Sequence, residues 1–369
     1  VGSNMYISTV SKRTDGNTHW LNGSNKVVAY DLPSLVSPTL KWERIQTLDI
    51  GGDFGFFNNE LNISFDWYQR TTKDMLAPGQ TMPDVLGAGA PKINAGTLRT
   101  RGWELSIDWR HHFNEVNVYA NASIGDFKTV ITKWDNDSQL LNENYSGKVY
   151  GDIWGFETDR YFTKDDFNAD GSYKEGIASQ KKLEQDGFVY GPGDIKFKDL
   201  NNDKEINGGE GTVKDHGDLK VIGNTTPRYQ YGFRLGGEWK GIDIDMFFQG
   251  VGKCDAWTQS AFVMPMMRGA DAIYANQANY WTDENPDPNA DFPRMWPGNA
   301  GKGTVSVLDL GNHNFYPQSK YLVNMAYLRF KNLTIGYTLP KDWTRKVYMD
   351  KVRVYFSANN ICELINKSN

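Results

Sequence analysis

No stretch of this sequence approaches the ~18 consecutive apolar residues that a membrane-spanning helix needs, and the mean hydropathy is −0.59. A helical membrane protein is therefore excluded. A transmembrane β-barrel is not, because its strands alternate apolar and polar residues and average out as hydrophilic. Cysteine is almost missing: Cys254 and Cys362 are too few to build a disulfide framework. Excess positive charge is missing as well, and the net charge of −5 argues against nucleic acid as a partner. Histidine is scarce, with only His19, His111, His112, His216 and His313. Gly-x-Ser-x-Gly, His-Glu-x-x-His and phosphate-loop patterns do not occur. No pair of carboxylates stands out for glycoside hydrolysis. The chain is therefore expected not to be an enzyme.

What the sequence has is aromatics, at 14%, and 37 glycines in 369 residues. It also has period-two alternation, the mark of a strand with one apolar face. Leu61, Ile63, Phe65 and Trp67 alternate with polar residues. So do Trp103, Leu105, Ile107 and Trp109; Val116, Val118, Ala120, Ala122 and Ile124; Tyr229, Tyr231, Phe233 and Leu235; Ile242, Ile244, Met246 and Phe248; and Val352, Val354, Phe356 and Ala358. Segments 45–57 and 325–338 complete a set of eight predicted strands. In the latter the apolar parity shifts near Asn332, which predicts a β-bulge. No Lys or Arg falls on the apolar face of the clean segments. At a bilayer midplane one such charge would cost roughly 2–4 kcal/mol. The opposite face carries Asp49, Asp53, Asp66, Glu104, Asp108, Arg110, Arg234, Asp243, Asp245 and Arg353, which would line a wet lumen.

Alternation alone fits a soluble β-sandwich equally well. The connections separate the two. Residues 57–60, 111–115 and 239–241 are short turns, whereas 75–97, 132–227 and 254–324 are long. Outer-membrane barrels alternate short periplasmic turns with long extracellular loops in this way, and compact sandwiches rarely carry loops this long. Aromatics gather at strand ends, as interfacial girdles require. The expected fold is all-β: an antiparallel transmembrane β-barrel with long extracellular loops. Counting strand directions from the hairpin at 58–59 leaves residue 369 on the outer side. A barrel ends on the periplasmic side after an even number of strands. Residues 1–369 are thus expected to be the C-terminal portion of one barrel domain, with earlier strands before residue 40 and one more after Asn369.

The order of short motifs resembles the SusC/RagA-type TonB-dependent transporters. These motifs include Leu40-Lys41-Trp42-Glu43, Phe54-Gly55-Phe56-Phe57-Asn58-Asn59, Asn94-Ala95-Gly96 and Gly102-Trp103-Glu104. Asp152-Ile153-Trp154-Gly155-Phe156-Glu157 and Gly193-Asp194-Ile195-Lys196-Phe197-Lys198-Asp199-Leu200-Asn201 follow, and then Phe247-Phe248-Gln249-Gly250-Val251. Tyr327-Leu328-Arg329-Phe330-Lys331-Asn332-Leu333-Thr334-Ile335-Gly336-Tyr337 and Ser357-Ala358-Asn359-Asn360 close the series. The resemblance implies an outer-membrane barrel of a Gram-negative bacterium with ~22 strands, filled by an N-terminal plug. It further implies a SusD-like surface lipoprotein as lid, coupling to the TonB complex, and import of oligosaccharides or peptides. Two alternatives stay open. One is a passive porin or iron-chelate receptor of related shape. The other is a secreted β-sandwich that binds or hydrolyses carbohydrate.

Two local patterns could carry ligands. Asp199, Asn201 and Asp203 stand at positions one, three and five of a calcium loop, the Glu205 carbonyl at seven, Asn207 at nine and Glu210 at twelve. Ca²⁺ takes six to eight oxygens, and short acidic side chains at alternate positions of a tight turn supply them. Lys204 replaces the usual Gly at six, and a solvated Asx-rich turn is the alternative. Asp166-Phe167-Asn168-Ala169-Asp170-Gly171 is a poorer version that runs out of ligands at Lys174 and Ile177, and reads as a plain turn. Segment 254–324 is rich in aromatics and methionine, including Met264, Met266, Met267 and Trp296. Most of these are expected to pack the loop, with Trp257, Tyr280 and Trp281 as candidate substrate contacts.

Overall fold

The structure, a computed structural model, describes residues 30–368 except 34, 80–82, 84, 86, 88, 186–187, 259, 266–272 and 297–312, together with 7–10, 12, 21–22 and 25–26. Eight long strands form the wall: β1 Arg44–Phe56, β2 Leu61–Pro78, β3 Lys92–Phe113, β4 Val116–Lys133, β5 Arg228–Trp239, β6 Ile242–Lys253, β7 Tyr327–Thr338 and β8 Arg353–Asn366. They pair antiparallel in sequence order as one sheet. Three tight turns join them at one end. Their left-handed residues, Asn58, Asn59, Asn114, Lys240 and Gly241, reverse the chain within a few positions, and asparagine and glycine tolerate that conformation best.

The register decides which residues share a face. Phe54, Ile63, Ile107, Ala122, Phe233, Phe248 and Phe330 are directly opposed across seven successive strands and continue to Cys362 on β8. The rings of Phe233, Phe248 and Phe330 stack along this row at 4.7 and 4.6 Å. The next row reads Phe56, Leu61, Trp109, Ala120, Leu235, Met246, Leu333 and Ala358. Register therefore makes one face apolar across the whole sheet. That face is not a protein core. Leu105, Ile107, Val118 and Phe233 are only partly buried and belong to no core cluster. Ile50 and Val354 are 60% and 64% exposed. A sandwich would cover this face with a second sheet, and among the described residues none does.

The expected bulge is present. Asn332 opposes Phe247 and Phe330 opposes Phe248, so Lys331 is the extra residue. One boundary differs from expectation. Segment 75–97 is not a loop: β2 runs to Pro78 and β3 starts at Lys92, with Leu76 opposite Asn94 and Ala77 opposite Ile93. These strands continue past the apolar band. The buried residues there, Ala77, Ala95 and Gly96, are small, so no alternation of large apolar side chains marks the extension, and the register slips at Met75.

The long connections 134–227 and 254–326 are folded, and they fold together. Phe162, Phe188, Ile195, Phe197 and Ile206 from the first are buried with Met264, Trp281, Ala290 and Phe315 from the second. Short antiparallel pairs, Asp152–Phe156 with Leu219–Asn224 and Thr158–Tyr161 with Ile195–Phe197, frame this core. The result is an outer domain on the wall end opposite the tight turns. Met266 and Met267 lie outside the described residues.

Candidate functional site

The inner face of the wall is polar along its length, but its charges are not uniform. On β5 to β8, Asp243, Asp245 and Glu363 are paired with arginines. Arg234 meets Asp245 at 2.6 Å, and Arg353 holds Asp243 at 2.9 and 2.5 Å; toward the outer domain Arg228 grips Asp126, which stands opposite Trp103, with two donors at 2.5 Å. Arg329 reaches Glu363 at 2.5 Å. On β1 to β3, Asp49, Asp53, Asp66, Glu104 and Asp108 share the same face, and among the described residues none of them forms an ion pair. A charged, hydrated inner face opposite an apolar outer face is what a solute-conducting barrel requires.

In the outer domain one carboxylate organises the packing. Asp194 is fully buried. It accepts the Gly191 N–H at 2.9 Å, the Trp296 indole N–H at 2.8 Å and the Asn314 amide at 2.8 Å, and it pairs with Arg294. Burial pushes its carboxyl pKa up, and Arg294, Asn314 and Trp296 pull against that shift. The contacts with Arg294, Trp296 and Asn314 tie residue 194 to residues a hundred or more positions away. Beside it, Gly193 adopts φ +87°, and the Trp281 ring lies against its Cα. Sequence reasoning gave Asp194 no role; its only signal was its place in a family-like stretch.

Two further acids anchor the domain to nearby bases. Hydrogen bonds from Lys198 and then Lys220 hold Glu157 down at about 2. Burial works to raise Asp166, but paired donors from Arg160 at 2.6 Å and the Thr163 N–H bring it to about 2.

The candidate substrate contacts separate. Trp281 is 4% exposed within the core, so it packs the domain and has no face free for a ligand. Trp257 is partly buried against the same core, and among the described residues its indole N–H has no hydrogen-bond partner. Tyr280 is half-buried and bridges to Phe292.

In the candidate calcium loop, Lys204 takes φ +68°, the left-handed conformation that glycine usually supplies at position six. The side chains are otherwise engaged. Asp199 accepts the Asn202 and Lys204 N–H groups, Asp203 accepts that of Glu205, and Asn207 accepts that of Gly209. The Glu205 carboxylate pairs with Lys182 at 2.7 Å, and Glu210 is exposed. Among the described residues no three acidic, histidine or cysteine side chains converge as a cation cage. Asp166 and Asp170 likewise serve local turns.

Residues 3–361 match the family model described as TonB dependent receptor-like, beta-barrel. The chain belongs to the TonB-dependent receptor β-barrel family. TonB-dependent receptor P3 of Formosa agariphila is 28% identical over 358 residues, covering 92% of this chain and 31% of the relative. TonB-dependent receptor SusC of Bacteroides thetaiotaomicron is 24% identical over 341 residues, covering 89% and 29%. The chain thus spans about a third of the length of these receptors. A solved structure of the RagAB peptide transporter superposes with a TM-score of 0.69 at 21% identity, covering all of this chain and 36% of that one. The fold is therefore a section of SusC-type barrel, and the apolar rows of β1 to β8 are its lipid-facing surface.

Proposed function

We propose that this chain supplies part of the wall and an extracellular domain of an outer-membrane importer for oligosaccharides or peptides. In this reading a SusD-like lipoprotein caps the outer domain, TonB supplies energy through a plug, and no reaction is catalysed. The carrying observation is the register that aligns one apolar and one charged face across eight strands, with a folded domain, among the described residues, at one end. Trp257 and Tyr280 are the proposed substrate-side aromatics, since each keeps part of its surface outside the core.

The test is uptake by cells carrying the full-length gene, its deletion, or a tonB deletion. Labelled oligosaccharides and peptides are supplied separately. TonB-dependent uptake of one class, together with co-purification of a surface lipoprotein, is expected. Equal uptake in all three strains would overturn the reading.

A structural Ca²⁺ at Asp199, Asn201, Asp203, the Glu205 carbonyl, Asn207 and Glu210 is a separate proposal. Its support is the oxygen spacing and the left-handed Lys204.

A further inference from the structure

The connection between β7 and β8, residues 339–352, differs from every other connection at its end of the wall. The three tight turns there carry a single Lys or Arg between them, Lys240, which already pairs with Glu115 at 2.9 Å. Segment 339–352 instead carries Lys341, Arg345, Lys346 and Lys351 against Asp342 and Asp350. All four basic residues are exposed, and among the described residues none forms an ion pair. Interleaved with them, Trp343 is 61%, Tyr348 100% and Met349 53% exposed. A turn with so much bare apolar surface and unpaired positive charge is out of place facing only water.

Its position in the wall explains it. Trp239, Ile242, Tyr337 and Val354 form the last row of the apolar face. The Thr338 N–H bonds the Gly241 carbonyl at 2.7 Å and the Leu339 N–H bonds the Val352 carbonyl at 2.9 Å. The segment thus starts within one or two residues of the last lipid-facing row, at the depth of the headgroups. Trp and Tyr favour that depth, and clustered Lys and Arg there attract anionic lipid.

We propose that residues 339–352 form a docking surface for anionic phospholipid headgroups of the leaflet beside the tight turns. Lys341, Arg345, Lys346 and Lys351 meet the phosphates, and Trp343 and Tyr348 sit among the glycerol and upper acyl groups. This rests on the barrel reading above. A basic group near an anionic surface is worth about fivefold in lipid partitioning. A net excess of two therefore predicts enrichment of roughly twenty-five-fold.

The experiment places the full-length receptor in nanodiscs of phosphatidylethanolamine, with or without one quarter phosphatidylglycerol. It then counts, by mass spectrometry, the lipids retained after mild detergent extraction. The wild type is expected to retain phosphatidylglycerol well above its bulk share. The combined variant K341Q/R345Q/K346Q/K351Q should fall to the bulk share, and the charge-keeping pair K341R/K346R should hold the enrichment. Neutralising Lys164 and Lys174 in the outer domain should change nothing. Retention at the bulk share in the wild type, or undiminished enrichment in the neutral variant, overturns the proposal. A receptor that enters neither nanodisc would instead overturn the barrel reading.

Discussion

The wall and the outer domain are built from the same kinds of residue turned in opposite directions. In the outer domain Phe162, Ile195 and Ile206 are completely buried, and a buried charge such as Asp194 is held by Arg294 and hydrogen-bond donors. In the wall Ile50, Val354 and Phe356 are 60–64% exposed, and the charges face the hydrated interior. One part hides its apolar side chains from water by packing them on each other. The other leaves that task to lipid. The wall can therefore hold a two-residue period, interrupted only by local bulges, over eight strands, because each strand separates the same two solvents. The outer domain needs only that its large side chains fill one space.

Truncation should break this symmetry most strongly. Phe162→Ala removes a fully buried ring and should destabilise the outer domain by about 3–5 kcal/mol. Asp194→Ala, which strands the Arg294 charge, belongs in the same range of about 3–5 kcal/mol. Phe233→Ala in the wall should cost only about 1 kcal/mol, chiefly its ring contact, because lipid tails fill the gap. Denaturation of the full-length receptor, followed by proteolysis for the outer domain and by gel mobility for the barrel, separates the two.

Charge insertion tests the wall against itself. Ile107→Arg should destabilise the barrel by about 2–4 kcal/mol, whereas Ser106→Arg, one residue away on the inner face, should stay within about 0.5 kcal/mol. Equal effects would mean that the two faces meet the same environment.

Acid should act on the outer domain through two carboxylates held by neighbouring bases. Glu157 and Asp166, each held at about 2 by basic partners, lie below their ordinary carboxylate values. Their stabilisation is complete above pH ~4.5 and is lost as pH falls toward 2. Protease sensitivity of the outer domain should rise across that window. Cleavage independent of pH would show that these pairs contribute little.

The smallest expected effect is that of calcium. Chelation should lower the melting temperature of the outer domain by a few degrees, roughly 1 kcal/mol of binding linkage. An unchanged melt, with no metal found by elemental analysis, removes the ion.

Legibility followed the same division. The eight strands, their turns and the bulge at Lys331 could be read because a one-residue slip would turn lipid-facing side chains into the lumen. The continuation of β2 and β3 past the band could not, since no apolar face marks it. The outer core was invisible for a related reason: Phe162 and Phe315 enter one core from either side of the intervening β5 and β6, with no period linking them. The aromatic richness of 254–324 was legible, but its use was not. Trp281 closes on Gly193, a contact no spacing rule foretells. Asp194 was missed because a buried acid is defined by its partners, and these stand at 294, 296 and 314.

Single nitroxide labels offer the most direct measurement. They are placed at Ile63, Ile107 and Phe233, and at the adjacent inner-face positions Ser64, Ser106 and Gly232, in full-length receptor with Cys254 and Cys362 replaced by serine. In bilayers, the first three should collide with dissolved oxygen and be shielded from a water-soluble nickel chelate, and the second three should show the reverse. If Ile63, Ile107 and Phe233 were shielded from both reagents, the apolar face would be a protein core and the chain would not be a membrane wall.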